Sequence, residues 1–273
     1  MIAPVVDIDW LQNHRNEVIL ADSRWYLDGR SGRDAFEQGH IPGAVFIDLD
    51  KCLSGHGAEK MGRHPLPMPS VFAERMSENG IGDGSVVVAY DDAGGVIAAR
   101  LVWMLRAIGE NAALLDGGLQ SYKGALAVGS EIPSRANFLP RPWPKDRLAN
   151  IEDASDSRNI VLDARNRDRY QGENEFVDPR AGHIPGAINI PCRENLNPDG
   201  TFLATQILRR RFEDAGVTGG EDVISYCGSG VTACHNLLAM ELVGLGNGRL
   251  FPGSWSQYSQ AIDRPVSTGS QPK

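Results

Sequence analysis

The chain has 273 residues, 41% apolar and 23% charged, enough for one large or two ordinary globular domains with proper cores. A formal net charge of −8 argues against nucleic acid or an anionic membrane as the main partner, so an anionic ligand must be drawn by a few local arginines and backbone dipoles. Four cysteines without CxxC or disulfide-framework spacing point to a reducing compartment. Asp7 comes too early for a signal peptide and no apolar stretch reaches membrane-spanning length, so a cytoplasmic protein is expected.

Taken in order, the elements repeat. The apolar run Val18-Ile19-Leu20-Ala21-Asp22-Ser23-Arg24 returns as Ile160-Val161-Leu162-Asp163-Ala164-Arg165, and Gly39-His40-Ile41-Pro42-Gly43-Ala44 returns word for word as Gly182-His183-Ile184-Pro185-Gly186-Ala187. Helical patterns follow at 70–79, then a strand at 86–90 and a helix at 96–108. The second half has helices at 205–215 and 232–245, the latter with Cys234, Leu238, Leu242 and Leu245 as one apolar stripe. Segments ending at Tyr90 and Tyr122 match those ending at Tyr226 and Tyr258. Such self-similarity marks a duplication. Alternating short apolar runs and helical patterns imply an α/β fold in each copy, a mainly parallel sheet flanked by helices. The expected division is a first domain at 1–130, a stiff proline-rich linker at 131–147 and a second domain at 148–273, with a loose polar tail from Arg264.

The second copy carries the chemistry. Cys227-Gly228-Ser229-Gly230-Val231-Thr232-Ala233 sits between the strand-like Val223-Ile224-Ser225-Tyr226 and a helix. A thiol at such a turn meets unpaired backbone N–H groups and the positive end of a helix dipole, both of which favour the thiolate. The glycines let the backbone curl around the sulfur, and Thr232 is a natural cap. The repeat places Asp91 where the second copy has Cys227, so the first domain is read as catalytically inert, with the cleft between the copies as the natural site.

With these residues in view, the chain resembles the two-domain rhodanese family over nearly its whole length, and its cysteine loop is most like that of the 3-mercaptopyruvate sulfurtransferases. The resemblance implies transfer of a sulfane sulfur through a Cys227 persulfide, from a small anionic donor to a thiol such as thioredoxin or a small thiol, or to cyanide. No cluster has zinc-ligand spacing, and no cofactor or metal is expected. Thiosulfate-preferring members carry basic residues where this chain has Gly228 and Ser229. Gly228, Gly230, Val231 and Thr232 are expected to line the donor site. Arg169 matches the arginine that grips a carboxylate, a task suited to a guanidinium, and Arg180 is a second candidate. The family's proton-handling group points to Ser229, His40 and, as nearest match, Asp28. Because the histidine motif occurs twice, tying a turn is the default role of His183; for His40 a place facing the cleft is an equal expectation. Cys52, Cys192 and Cys234 are expected to pack.

Two rival classes remain. Phosphatases that resemble rhodaneses use a longer loop ending in arginine, whereas the sixth residue after Cys227 is Ala233. A non-catalytic sulfur carrier or interaction module also fits a duplicated chain with one inert half, and measured turnover separates it from an enzyme.

Overall fold

The computed structural model describes residues 1–55, 59–130 and 132–272. Glu131, where the expected linker begins, and Lys273, the last residue of the expected tail, lie outside the described residues. The chain forms two compact units. Unit 1 comprises Met1–Gly55, Leu66–Trp143 and Asn197–Phe202; unit 2 comprises the described parts of His56–Pro65, Pro144–Leu196 and Leu203–Lys273.

Unit 1 holds β1 (Val5–Val6), β2 (Val18–Asp22), β3 (Val45–Phe46), β4 (Val86–Tyr90) and β5 (Asn111–Leu115) in the order β1-β5-β4-β2-β3, all pairs parallel. Unit 2 holds β6 (Ile160–Asp163), β7 (Ile188–Asn189), β8 (Val223–Tyr226) and β9 (Arg249–Leu250) in the order β7-β6-β8-β9, again parallel. The central strands β4 and β8 are nearly continuous apolar runs because a parallel sheet covered on both faces buries both sides of each strand.

The repeat holds at atomic detail. In unit 1 Arg24 is clamped by Asp22 at 2.8 Å and donates to the Gly39 carbonyl at 2.7 Å, while the Ile41 amide donates to the Tyr90 hydroxyl at 3.1 Å. Arg165, Asp163, the Gly182 carbonyl, Ile184 and Tyr226 repeat these bonds in unit 2. His40 stacks on Phe36 and its Nδ1 bonds the Phe36 carbonyl at 2.9 Å; His183 does the same with Tyr170 at 2.8 Å. Both histidines also make an isolated antiparallel bridge, to Ala127 and to Ser267 respectively.

Several expectations need correction. Residues 132–143 are extended, but they are a strap on unit 1: the Ala136 amide donates to the Ser77 carbonyl, Phe138 is buried against Phe72, and the Trp143 indole N–H donates to the Pro67 carbonyl. The division at 130 therefore falls inside unit 1. Nor do 59–65 belong to the first copy. The Arg63 amide donates to Ser256 Oγ at 3.0 Å, and Gly62, at φ +87°, lies so close to the Gly253 carbonyl that a Cβ there would stand 2.5 Å from it. The tail is tied down as far as Gly269, whose amide donates to the Gln171 carbonyl at 2.9 Å. Finally, the helix Ala233–Leu242 is buried on nearly all faces from Ala233 to Met240, so it has no single apolar stripe. Its Asn236 is accommodated by hydrogen bonds with Asn195 and the Ile190 carbonyl.

Candidate active site

β8 is buried at every position and delivers Cys227 at its carboxyl end. The loop then runs six residues before the helix Ala233–Leu242 begins. Gly230, at φ +79°, turns its amide onto Cys227 Sγ at 3.2 Å, and a Cβ at this position would stand 2.5 Å from the Pro252 carbonyl oxygen. Only glycine fits both demands. The other side of the cysteine is fixed by Ser254, whose hydroxyl accepts the Cys227 amide at 3.1 Å. Among the described residues Ser254 is the one non-glycine with positive φ, at +52°, and its counterpart in unit 1 is Gly118 at +55°. Unit 2 thus accepts a strained backbone in order to carry a hydroxyl beneath the thiol's own amide.

Two guanidiniums converge on the next residue. A Cβ at Gly228 would stand 3.1 Å from Arg63 Nη2 and 3.4 Å from Arg169 Nη1. Cations absent from the loop's own side chains are therefore supplied by residues far away in sequence. Both are anchored from behind by acids: Arg169 by Glu175 at 2.7 Å and Asp178 at 3.1 Å, Arg63 by the other oxygen of Asp178. Burial raises the Asp178 carboxyl above its ordinary value. Burial pushes Glu175 the same way, but hydrogen bonds from Arg169 and from the Val177 and Asp178 amides outweigh it and hold that carboxyl low.

Ser229 is buried, and its hydroxyl lies 2.7 Å from His64 Nδ1. A hydroxyl coupled to an imidazole can move a proton near neutral pH. The histidine at Ser229 is thus His64 rather than His40, whose ring is engaged with Phe36 in the turn of unit 1. Asp28 does not fit a buried relay either: it is exposed on the surface of unit 1, where the amide and side chain of Arg30 hold its carboxyl below the usual range.

Arg180 is likewise spent. Its guanidinium donates to the carbonyls of Tyr258, Ser259, Ala261 and Arg264 at 2.7–2.9 Å, closing the end of the helix Ser254–Tyr258. Four committed carbonyl bonds make it a structural clamp, not a donor-binding group. Thr232 caps no helix amide with its side chain. Val231 is buried at the foot of the loop, its carbonyl accepting the Cys234 amide at 3.2 Å. Cys234 packs beneath, its thiol directed to the Gly230 carbonyl at 3.5 Å.

Arg63, His64, Glu175 and Asp178 escaped the sequence reading. The first two lie in a glycine- and proline-rich stretch without periodicity, placed by chain order in the wrong copy. The acids lie in a loop whose spacing departs from the family pattern. A cation and an imidazole side by side in Gly62-Arg63-His64-Pro65 were the available signal.

The corresponding turn of unit 1 holds an anion of its own. The Asp91 carboxylate, fully buried, accepts the amides of Ala93 and Gly95 on one oxygen and of Ile97 and Ala98 on the other, at 2.7–2.9 Å. The amide cradle is kept, but its occupant is a fixed carboxylate instead of a thiol.

A surface cavity of about 860 Å³ in unit 2, lined among others by Ile160, Glu221, Asp222 and Arg249, lies at the amino ends of the strands, the edge opposite Cys227. It holds no thiol or imidazole.

Residues 7–125 and 145–261 each match the Rhodanese-like domain. A probable 3-mercaptopyruvate sulfurtransferase of Pseudomonas aeruginosa is 40% identical over 268 residues, covering 93% of each chain. A putative thiosulfate sulfurtransferase, SseB of Mycobacterium tuberculosis, is also 40% identical, over 261 residues, covering 93% of this chain and 92% of the relative. The crystal structure of the 3-mercaptopyruvate sulfurtransferase SseA of Escherichia coli superposes with a TM-score of 0.81 at 32% identity, covering 93% of this chain and all of the other. The chain belongs to the rhodanese-like family, of which it carries two domains.

Proposed function

We propose that this two-domain rhodanese-like enzyme is a sulfurtransferase that takes the thiol sulfur of 3-mercaptopyruvate onto Cys227 as a persulfide and passes the outer sulfur to a thiol. The observation that carries the reading is the convergence on one loop of a thiol under an amide, two guanidiniums over Gly228 and the Ser229–His64 pair. Cys227 thiolate attacks the donor sulfur, the carbon–sulfur bond breaks, and its electrons leave as the enolate of pyruvate. The proton once on the donor thiol ends on the pyruvate methyl carbon, carried by the Ser229 hydroxyl and His64. Arg63 and Arg169 hold the carboxylate. In the second half-reaction an acceptor thiolate attacks the outer sulfur and restores Cys227, giving ping-pong kinetics. Thioredoxin, a small thiol or, in a test tube, cyanide would serve as acceptor, in a reducing cytoplasm that keeps the four cysteines as thiols.

Mass spectrometry after incubation with 3-mercaptopyruvate tests the reading. One extra sulfur on Cys227, absent from Cys227→Ser, is expected; no added sulfur would refute it. Thiosulfate is the second donor to try. One of the two 40% identical relatives is named for thiosulfate. A higher kcat/KM for thiosulfate than for 3-mercaptopyruvate would assign the enzyme to that donor.

A further inference from the structure

The arginines above Gly228 belong to a chain of alternating charge buried in unit 2. Asp163 holds Arg165 at 2.6 Å, Arg165 reaches Glu175 at 3.6 Å, Glu175 holds Arg169 at 2.7 Å, and Asp178 bridges Arg169 and Arg63. The side chains of Asp163, Arg165, Glu175 and Asp178 are 0–2% exposed, whereas those of Arg169 and Arg63 are 13% and 30% exposed. Every guanidinium in the chain thus has a carboxylate behind it, and the formal charges sum to zero. Over Gly228 the chain presents one Nη group from each arginine, 3.1 Å and 3.4 Å from where a Cβ would stand.

Two directed N–H donors without surplus positive charge suit the two oxygens of a single carboxylate. A second negative charge on the donor finds no unpaired cation in the chain and feels both buried acids in a region of weak screening. We propose that Asp178, backed by Glu175, sets the donor preference of the site: it fixes the two arginines as a carboxylate fork and, by neutralising them, disfavours dianionic donors such as thiosulfate. The proposal rests on the sulfurtransferase reading for the identity of the donors, but the charge selectivity belongs to the fork alone. Both acids are positioning residues that act through Arg63 and Arg169.

Asp178→Asn keeps the shape and removes one negative charge. The ratio of kcat/KM for 3-mercaptopyruvate to that for thiosulfate should fall on the order of tenfold, because thiosulfate gains. A loss shared equally by both donors would mean that Asp178 merely props the arginines, and would overturn the proposal. A readout independent of turnover is the protection of Cys227 from the neutral reagent iodoacetamide, by sulfate as dianion and by pyruvate as monoanion. In Asp178→Asn the half-protecting sulfate concentration should drop about tenfold, with the pyruvate value changing much less; an unchanged sulfate value overturns the proposal. Glu175→Gln should shift both readouts in the same direction and serves if Asp178→Asn does not fold. Absence of persulfide with either donor in the wild-type protein would defeat the enzyme reading, while the protection constants still decide the fork.

Discussion

The Nδ1 atom of His64 stands 2.7 Å from the Ser229 hydroxyl oxygen, across 165 positions of sequence. The two donors considered for this site make different demands on that pair. Mercaptopyruvate leaves as a carbanion equivalent that must be protonated, whereas thiosulfate leaves as sulfite, which needs no proton on carbon. His64→Gln should therefore lower kcat with 3-mercaptopyruvate by about 10²- to 10⁴-fold and affect thiosulfate turnover far less. Equal losses with both donors would remove the proton role. His40→Gln should spare both reactions and cost about 1–2 kcal/mol of stability, since His40 bonds the Phe36 carbonyl and stacks on its ring.

Asp91 supplies the second prediction. Its four amide bonds use both carboxylate oxygens, with no exposure to water. In Asp91→Asn one oxygen becomes an NH₂ group facing two N–H donors, so two amides lose their acceptor and a repulsive contact replaces them. A loss of about 3 kcal/mol or more is expected, read as a lower urea midpoint. Sulfur transfer by the folded fraction should be retained, because the thiol is in the other unit. A midpoint within experimental error of wild type would show that the cradle does not need its charge.

These two sites mark where the sequence is transparent and where it is not. The duplicated Gly-His-Ile-Pro-Gly-Ala, the apolar β4 and β8 and the cysteine at a strand end are local patterns with direct physical meaning, and together they announced the sheets, the repeat and Cys227. Asp91 was found by offset alone, but that its carboxylate would fill its own cradle depends on backbone direction. His64 and Arg63 were opaque for another reason: chain order assigned their segment to the first copy, and only packing of Gly62 against Gly253 and of the Arg63 amide on Ser256 places it in unit 2. Arg180 shows the converse error. A charged residue in a promising loop reads as a ligand, whereas its guanidinium is committed to the carbonyls of Tyr258, Ser259, Ala261 and Arg264.

Stability should also depend on pH through His183. Burial lowers its pKa below the ordinary 6.5, so the folded state prefers the neutral ring and the unfolded chain binds the proton more readily. Its contribution is complete above 6.5, declines as pH falls below that value, and levels off below the depressed folded value. Urea unfolding at pH 7.5 and 5.5 should show a larger drop for wild type than for His183→Gln. Parallel behaviour of the two proteins would exclude His183 as the source.

The cysteines offer a direct test of which sulfur is the nucleophile. Burial pushes the Cys52 thiol up to about 11 and the Cys192 thiol up to about 12, and the charge on nearby Cys227 adds to the rise at Cys192. At pH 8 their thiolate fractions are then roughly 10⁻³ and 10⁻⁴, and alkylation proceeds through the thiolate. Iodoacetamide at pH 8 should accordingly modify Cys227 first, with Cys52 and Cys192 unlabelled until the fold opens. The same electrostatics keeps Cys192 a poor disulfide partner, because burial and the nearby Cys227 sulfur both oppose its ionisation. Cys227→Ser removes only the smaller of those two effects, so Cys192 should stay unreactive at pH 8 in that variant too. Rapid labelling of Cys192 in either protein would mean that Cys192, and not the sulfur under the Gly230 amide, is the reactive one.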